Sequence, residues 1–363
     1  MAFTSKNTHF EFTDGLLDCH ARTIKESARA LCAAVQTARS ALDSAGQTDK
    51  PLFVFMGEYH AQPAHYMHFM HVLEELHRTK NNIILANEMD HDYAAQLYFK
   101  RREMEYDTDI AQNILDLDNI DELNTLSYDA IFTHQYANIS TKISDIYCAK
   151  LGLKNVFSDC ATNRERQEDQ DFAYQINNED HATAAAFLSA GLDSEQAVDP
   201  ESENGLFLRN VFMLDQLCVQ SVGEKSPIII LRCGAGHVFG EQGSSPFEQS
   251  LTGLAQDKGL DIVSFVPDLA FDCSAGETVL DKVKPDTAIF SRLPHIKAYN
   301  EGDDHDVYNE KIDKDEELYC AEILSRLDMS EHFSSAADIS AHQRKAYKHM
   351  KLAYKQFKNA LSL

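Results

Sequence analysis

Five short apolar runs, each followed by a polar turn and then by a helical pattern, constrain the fold of this chain most strongly. Runs of this length, rich in Val, Ile and Phe, are typical of strands buried on both faces of a parallel sheet. Alternation of strand with helix favours right-handed crossover connections and therefore an α/β domain with a mainly parallel central sheet flanked by helices. The predicted strands are Leu52–Met56, Ile83–Ala86, Asn155–Ser158, Ile228–Leu231 and Ile262–Val266.

Helical patterns lie between these runs and on either side of them. The sequence before the first strand predicts a covering helix over about 18–45, and a basic amphipathic helix is predicted from residue 341 onward. The basic helix either packs on a domain of opposite charge or serves a membrane or partner. The other predicted helices are Ala64–Arg78, Tyr93–Glu105, Ala130–Leu151, Gly205–Val222 and Ser245–Asp257.

The chain divides into three parts by composition. Residues 1–50 form a helical segment, residues 51–270 form the α/β domain, and residues 271–363 hold an acidic insert and the basic helix. The insert over 301–317 carries nine acids and two lysines, which is typical of a solvated loop.

The net charge of −25 argues against nucleic-acid binding, because so acidic a chain repels phosphate backbones. The 8 cysteines show no CxxC pair and are read as reduced thiols. No apolar stretch predicts a signal peptide or a membrane span, so the expected location is cytoplasmic, or external after export by a leaderless route. Motifs for a P-loop, a dinucleotide fold and a GxSxG nucleophile are also absent from the sequence.

Carboxylates and imidazoles follow four of the five predicted strands. Because the carboxyl ends of parallel strands meet at one edge of a sheet, we expect these side chains to converge there. Two of the strands end in the same motif, Gly-x-x-His, whose glycine lets the chain turn sharply. The residues concerned are Gly57, Glu58, Tyr59 and His60 after the first strand, Glu88 after the second, Asp159 after the third, and Gly234, Gly236 and His237 after the fourth.

Imidazole and carboxylate together supply either an acid–base pair or ligands for a divalent metal. The predicted catalytic residues are Glu58, His60, Glu88 and His237, and the candidate metal ligands are His60, Glu88 and His237. Taken singly, each histidine is as well explained by a structural hydrogen bond, and each glutamate by a helix N-terminus. The predicted substrate contacts are Gly57, Tyr59, His65, Asp159, Asn163, Arg164, Gly234 and Gly236.

Three histidines recur along the predicted helix after the first strand. His65 lies on the first turn and is predicted to reach the cleft, whereas His68 and His71 are interpreted as surface or packing residues. At 3.6 residues per turn the three side chains spread around the helix and cannot all face one ion.

The segments FMGEYHAQPAHYMHFMHVLEEL, IILANEMD and IIILRCGAGHVFG resemble ChaN-like haem-binding proteins and the wider TIKI, TraB and erythromycin-esterase superfamily. The resemblance covers about residues 51–270, and it implies site roles for Glu58, His60, Glu88, Gly234 and His237. Asn163 and Arg164, in the loop after Asp159, are a looser match to a polar site of the family. The superfamily includes metal-dependent proteases, lactone hydrolases and exported haem-binding proteins.

Three functions are therefore open. The first is a hydrolase of an ester or amide-type bond in a small molecule or peptide, with a divalent metal left open. The second is a module that binds haem or a similar planar ligand, and the third is an interaction or secreted effector protein with a vestigial site. A protein partner or a homodimer fits any of them.

Overall fold

A computed structural model describes a single α/β core. It describes residues 13–59, 62–88, 144, 147–148, 150–159, 162–166, 172–176, 203–240, 246–267, 282–283, 287–294 and 319–329. His60, the predicted helix over 93–105, the acidic insert and the basic C-terminal helix lie outside these residues.

The core is a six-stranded sheet in which each pair of neighbours is parallel, in the order β3-β2-β6-β1-β7-β8. A separate antiparallel hairpin, β4 with β5, follows β3. The strands are β1 Leu52–Glu58, β2 Asn82–Asn87, β3 Lys154–Phe157, β4 Thr162–Arg166, β5 Phe172–Ile176, β6 Pro227–Gly234, β7 Asp261–Pro267 and β8 Ala288–Ser291.

Helices cover both faces of this sheet. One face is covered by α1 (Asp14–Ser44) and α2 (Pro63–Arg78), together with helical residues 319–326. The other is covered by α3 (Glu203–Ser221), α4 (Ala235–Phe239) and α5 (Leu251–Asp257), with a 3₁₀ turn at Phe247–Gln249 before α5. No helix in these described segments has the length and apolarity needed to cross a membrane.

Alternate residues of each central strand serve the two faces. In β1, Leu52, Val54 and Met56 belong to the core beneath α1 and α2, whereas Phe53 and Phe55 belong to the core beneath α3, α4 and α5. All five side chains are buried, as expected for strands that are covered on both sides. This two-residue period decides on which face of the sheet each residue at the end of a strand lies.

The five predicted strands are all present, and the predicted fold class is confirmed. Three strands come in addition: β4, β5 and β8. Asn163 and Arg164, which were expected in a loop, lie in β4 and pair with Gln175 and Tyr174 of β5. β8 joins the sheet beside β7 although it lies beyond residue 270, the predicted end of the α/β domain.

Gly57 allows α4 to approach β1 closely. A Cβ atom at Gly57 would lie 2.8 Å from Val266 Cγ1 and 3.0 Å from Ala235 Cα, the first residue of α4. We expect Gly57→Ala to lower the free energy of unfolding by about 1–3 kcal/mol, because the sheet and α4 must move apart. Urea unfolding measures the change.

The matched control is Gly15→Ala in α1, where an added Cβ meets nothing within 4 Å. This variant should be as stable as the native protein or slightly more stable, since alanine favours a helix over glycine. Equal stability of Gly57→Ala and the native protein would contradict the close approach of α4.

His68 is a buried, neutral residue at the contact between α1 and α2. Its Nε2 lies 3.0 Å from Ser27 Oγ, and its ring stacks on Phe265 at 4.6 Å. Burial, aided by the neighbouring His65 and His71, lowers the pKa of His68 from 6.5 to about 3. Of the two interpretations of His68 and His71, packing is the correct one, because both side chains are buried.

This lowered pKa makes the fold sensitive to acid. The unfolded chain binds a proton at His68 below its ordinary pKa of 6.5, and the folded chain binds one only near 3, so stability falls as pH drops between them. His68→Gln keeps a hydrogen-bonding side chain but cannot titrate. Relative to this variant, we expect the native protein to lose about 2 kcal/mol of unfolding free energy between pH 8 and pH 5.

Chemical unfolding at a series of pH values measures this difference. His77→Gln serves as the control, because His77 is exposed at the end of α2. A constant difference between His68→Gln and the native protein across this pH range would refute the assignment.

Candidate functional site

The candidate site lies at the switch point of the sheet. β1 leads into α2 on one face, and its neighbour β6 leads into α4 on the opposite face. The loops therefore diverge between these two strands, and in open α/β sheets ligands bind in the resulting crevice at the carboxyl ends of the strands. The two Gly-x-x-His motifs of the sequence begin at these two strand ends.

Glu88 lies directly after β2, where its backbone and side chain both bind β6. Its backbone N–H donates to the carbonyl of Arg232 at 3.0 Å. Its side chain accepts the N–H of Gly234 at 2.6 Å through Oε2. The N–H of Gly234, a predicted substrate contact, is therefore already bound by a carboxylate.

Arg209 of α3 links the carboxylates that follow β2 and β3. It donates to both oxygens of Asp159, through Nε at 3.2 and 3.1 Å and through Nη2 at 2.8 Å. Nη2 also contacts Glu88 Oε1. All three residues are largely buried, so Arg209 supplies the cation that makes it tolerable to bury two acids together.

His237 of α4 lies against Glu88. The distance from His237 Nε2 to Glu88 Oε1 is 3.0 Å. The other ring nitrogen, Nδ1, lies 2.6 Å from Oδ1 of Asn210, the neighbour of Arg209 on α3. We call Glu88, Asp159, Arg209, Asn210 and His237 the α3-side cluster.

A second polar group lies on the opposite face, beneath α2. Tyr66 donates its hydroxyl to Glu58 Oε1 at 3.1 Å, and Arg232 Nε lies 3.6 Å from Glu58 Oε2. Arg232 Nη1 donates to Ser144 Oγ at 3.0 Å, and the guanidinium lies 5.1 Å from the ring centres of both Tyr66 and Phe69. We call Glu58, Tyr66, Ser144 and Arg232 the α2-side cluster.

His65 is placed at the edge of the site by the first turn of α2. The backbone N–H of Tyr59 donates to His65 Nδ1 at 2.9 Å, and the two rings lie 5.7 Å apart. Since Nδ1 accepts this bond, the neutral ring carries its proton on Nε2. The structure thus ties His65 to the loop that carries the first Gly-x-x-His motif, and its contact with a substrate stays a prediction.

The structure separates the predicted site residues into two groups. Glu88, Asp159 and His237 meet in the α3-side cluster, whereas Glu58 lies across the sheet in the α2-side cluster. Gly57 is buried beneath α4, and Gly236 is half-buried within it. His60 and the side chains of Asn163 and Arg164 lie outside the described residues.

Sequence reasoning missed the partners that these residues use. Arg209 and Asn210 stand together inside an otherwise apolar helix pattern, and Arg232 ends the apolar run of β6. A buried arginine is rarely tolerated without a carboxylate, so these interruptions were the available signal. The separation of 121 residues between Arg209 and Glu88 hid which carboxylate each cation would bind.

Cys233, between the two clusters, is poorly suited to act as a nucleophile. The side chain is buried, and this burial, with Glu88 and Glu58 nearby, raises the pKa of its thiol well above 9. Such a thiol stays protonated at neutral pH, and the thiolate is the reactive form. Cys19, Cys32 and Cys218 are free thiols, as is Cys233 itself.

The predicted metal ligands meet only in part. Glu88 and His237 come together, but within the described segments no group of three or more His, Cys, Asp or Glu side chains is arranged to hold an ion. Arg209 contacts the same Glu88 oxygen that faces His237, so a divalent cation there would meet a second cation. The described residues do not form a metal site by themselves, and the metal set that includes His60 stays a prediction.

Comparison with known proteins yields no match to a family model, a curated protein or a solved structure.

Proposed function

We propose that this protein is a hydrolase that cleaves an ester or amide-type bond in a small molecule or peptide. The observation that carries the proposal is the contact between His237 Nε2 and Glu88 Oε1 at 3.0 Å, beside the switch point of the sheet. A buried imidazole in contact with a carboxylate is a pair that can exchange a proton, which is what acid–base catalysis requires. The resemblance of the two Gly-x-x-His motifs to those of the ChaN and TIKI proteins also supports a hydrolase.

In the proposed reaction, His60 acts as the general base that takes a proton from water. The resulting hydroxide attacks the carbonyl carbon, and the carbonyl oxygen gains negative charge. His237 then stabilises this oxyanion or protonates the leaving group through Nε2, the nitrogen that lies 3.0 Å from Glu88 Oε1 before the reaction, while Asn210 holds the ring at Nδ1. Arg209 and Gly234 keep Glu88 in place and so preserve the alignment of the pair.

The test is an assay of the purified full chain against a panel of chromogenic ester, lactone and peptide-amide substrates. The proposal requires hydrolysis of at least one class that His60→Ala abolishes, with the far-UV circular dichroism spectrum unchanged. Catalysis that survives His60→Ala, or no hydrolysis of any class, would count against it. The same preparation, made without chelators, is analysed for bound metals.

A hemin titration tests the alternative function, haem binding. A Soret band at stoichiometric hemin that is lost in His60→Ala would favour haem binding over hydrolysis.

A further inference from the structure

We infer that Asn210 is the positioning residue of His237: its side-chain carbonyl accepts a hydrogen bond from Nδ1 of the imidazole and thereby fixes the ring with Nε2 toward Glu88. The catalytic meaning of this arrangement rests on the proposed hydrolase function. The arrangement itself rests only on the geometry of α3, α4 and the end of β2.

The first step concerns the orientation of the Asn210 amide. Its Nδ2 lies 3.0 Å from the backbone carbonyl of Gln249, which only accepts hydrogen bonds. The NH₂ group must therefore face Gln249, and the oxygen Oδ1 must face the other way. Asn210 has an exposed fraction of 0%, so bulk water does not compete for either group.

The second step concerns His237. Asn210 Oδ1 lies 2.6 Å from His237 Nδ1, and an amide oxygen at this distance requires a donor. Nδ1 therefore carries a hydrogen. This choice leaves Nε2, 3.0 Å from Glu88 Oε1, as the nitrogen whose proton is exchanged in a reaction.

The third step concerns the role of α3. Arg209 and Asn210 are consecutive residues of one helix, and each binds one member of the Glu88–His237 pair. The charged and titratable groups of the α3-side cluster come from several elements: Glu88 after β2, Asp159 after β3 and Arg209 of α3, with the protonated thiol of Cys233 in β6 beside them. Of these, Glu88 contacts the ring of His237, and the neutral Asn210 lies opposite it across the ring.

Hydrolase triads also use one side chain to bind the imidazole nitrogen that does not react and so to fix the orientation of the ring; in a triad that side chain is a carboxylate. Here the amide of Asn210 has this place, and the carboxylate of Glu88 faces the other nitrogen. Without Asn210, Nδ1 would lose the acceptor of its hydrogen bond, and Glu88 alone would hold a proton on the ring, at Nε2. Asn210 is thus needed to keep a proton on Nδ1.

The experiment is a two-bond ¹H–¹⁵N correlation spectrum of the histidine rings in the ¹⁵N-labelled full chain, with His237→Gln to assign the signals. It is recorded at mildly alkaline pH, where an ordinary imidazole is neutral. In the native protein we expect a protonated Nδ1. In Asn210→Leu we expect Nδ1 to lose its proton while Nε2, which faces Glu88, carries one, whereas Asn210→Asp, which keeps an acceptor, should restore protonated Nδ1.

The matched control is Asn82→Leu. Asn82 also donates to a backbone carbonyl, that of Lys225 at 3.0 Å, but it lies at the amino end of β2. This change should leave the His237 signals unaltered. An unprotonated Nδ1 in the native protein, or a protonated Nδ1 that persists in Asn210→Leu, would overturn the inference; should Asn210→Leu not fold, the native protein and Asn210→Asp decide it.

Kinetics separate this inference from the proposed function. With a substrate from the panel, Asn210→Leu should lower kcat by about 10²-fold with KM unchanged, and Asn210→Asp should recover most of the loss. The expected tautomers in a protein without hydrolytic activity would support the positioning role and count against the hydrolase. Equal loss in Asn210→Leu and Asn210→Asp would count against the positioning role.

Discussion

Arg209→Met is expected to lower the free energy of unfolding by about 3–5 kcal/mol, because it leaves buried carboxylates without their cation. Arg209 binds Asp159 through both oxygens and also contacts Glu88, and the side chains of all three residues are only 10–12% exposed. Methionine fills much of the same volume, so the loss of charge compensation dominates the effect. Urea or guanidinium unfolding, followed by circular dichroism, measures the change.

The control is Arg78→Met at the end of α2. Arg78 pairs with Glu74 at 3.0 Å and Glu75 at 3.2 Å, but its side chain is 60% exposed, so the loss should stay within about 1 kcal/mol. Adding Asp159→Asn to Arg209→Met should recover part of the stability, since one uncompensated charge is removed. Equal effects of Arg209→Met and Arg78→Met would show that the α3-side cluster is not a buried ion pair.

His237→Ala is expected to lower kcat/KM by about 10²–10⁴-fold for any substrate of the proposed hydrolase. The imidazole lies between Asn210 and Glu88, and alanine supplies no exchangeable proton in its place. The truncated side chain leaves a cavity, so thermal unfolding is recorded alongside to separate lost activity from lost fold. Steady-state kinetics with the best substrate of the panel measure the loss.

His77→Ala is the matched control, because His77 is an exposed histidine at the end of α2. It should change kcat/KM by less than about twofold. A His237→Ala protein that is folded and as active as the His77→Ala protein would remove His237 from the proposed mechanism.

The five strands could be predicted from the sequence because strands of this kind are buried on both faces. Runs such as Ile228–Leu231 contain no polar residue, so their position does not depend on knowing which face meets which helix. β8 was missed because all four of its residues are only half-buried, as expected for a strand at the edge of the sheet. β4 was missed because its sequence, TNRER, contains no apolar residue, and β5 because its sequence, FAYQI, does not alternate apolar with polar residues.

The site could be predicted in part, because it depends on where the predicted strands end. The rule that ligands bind at the carboxyl ends of parallel strands correctly brought Glu88, Asp159 and His237 together. The same rule placed Glu58 with them, but the structure sets Glu58 beneath α2, on the other face of the sheet. Whether His60 joins either cluster stays a prediction.

The amino-acid sequence by itself determined the parallel sheet and the edge of the sheet at which polar side chains lie. Hydrophobic patterns and strand ends are local features, so the sequence shows them directly. The tertiary structure alone decided how those side chains are paired. Strand register and the two-residue period place Glu58 and Glu88 on opposite faces of the sheet. Helix α3, more than a hundred residues further along the chain, then brings Arg209 and Asn210 to the face where Glu88 lies. Contacts of that kind depend on packing geometry, to which no local pattern in the sequence corresponds.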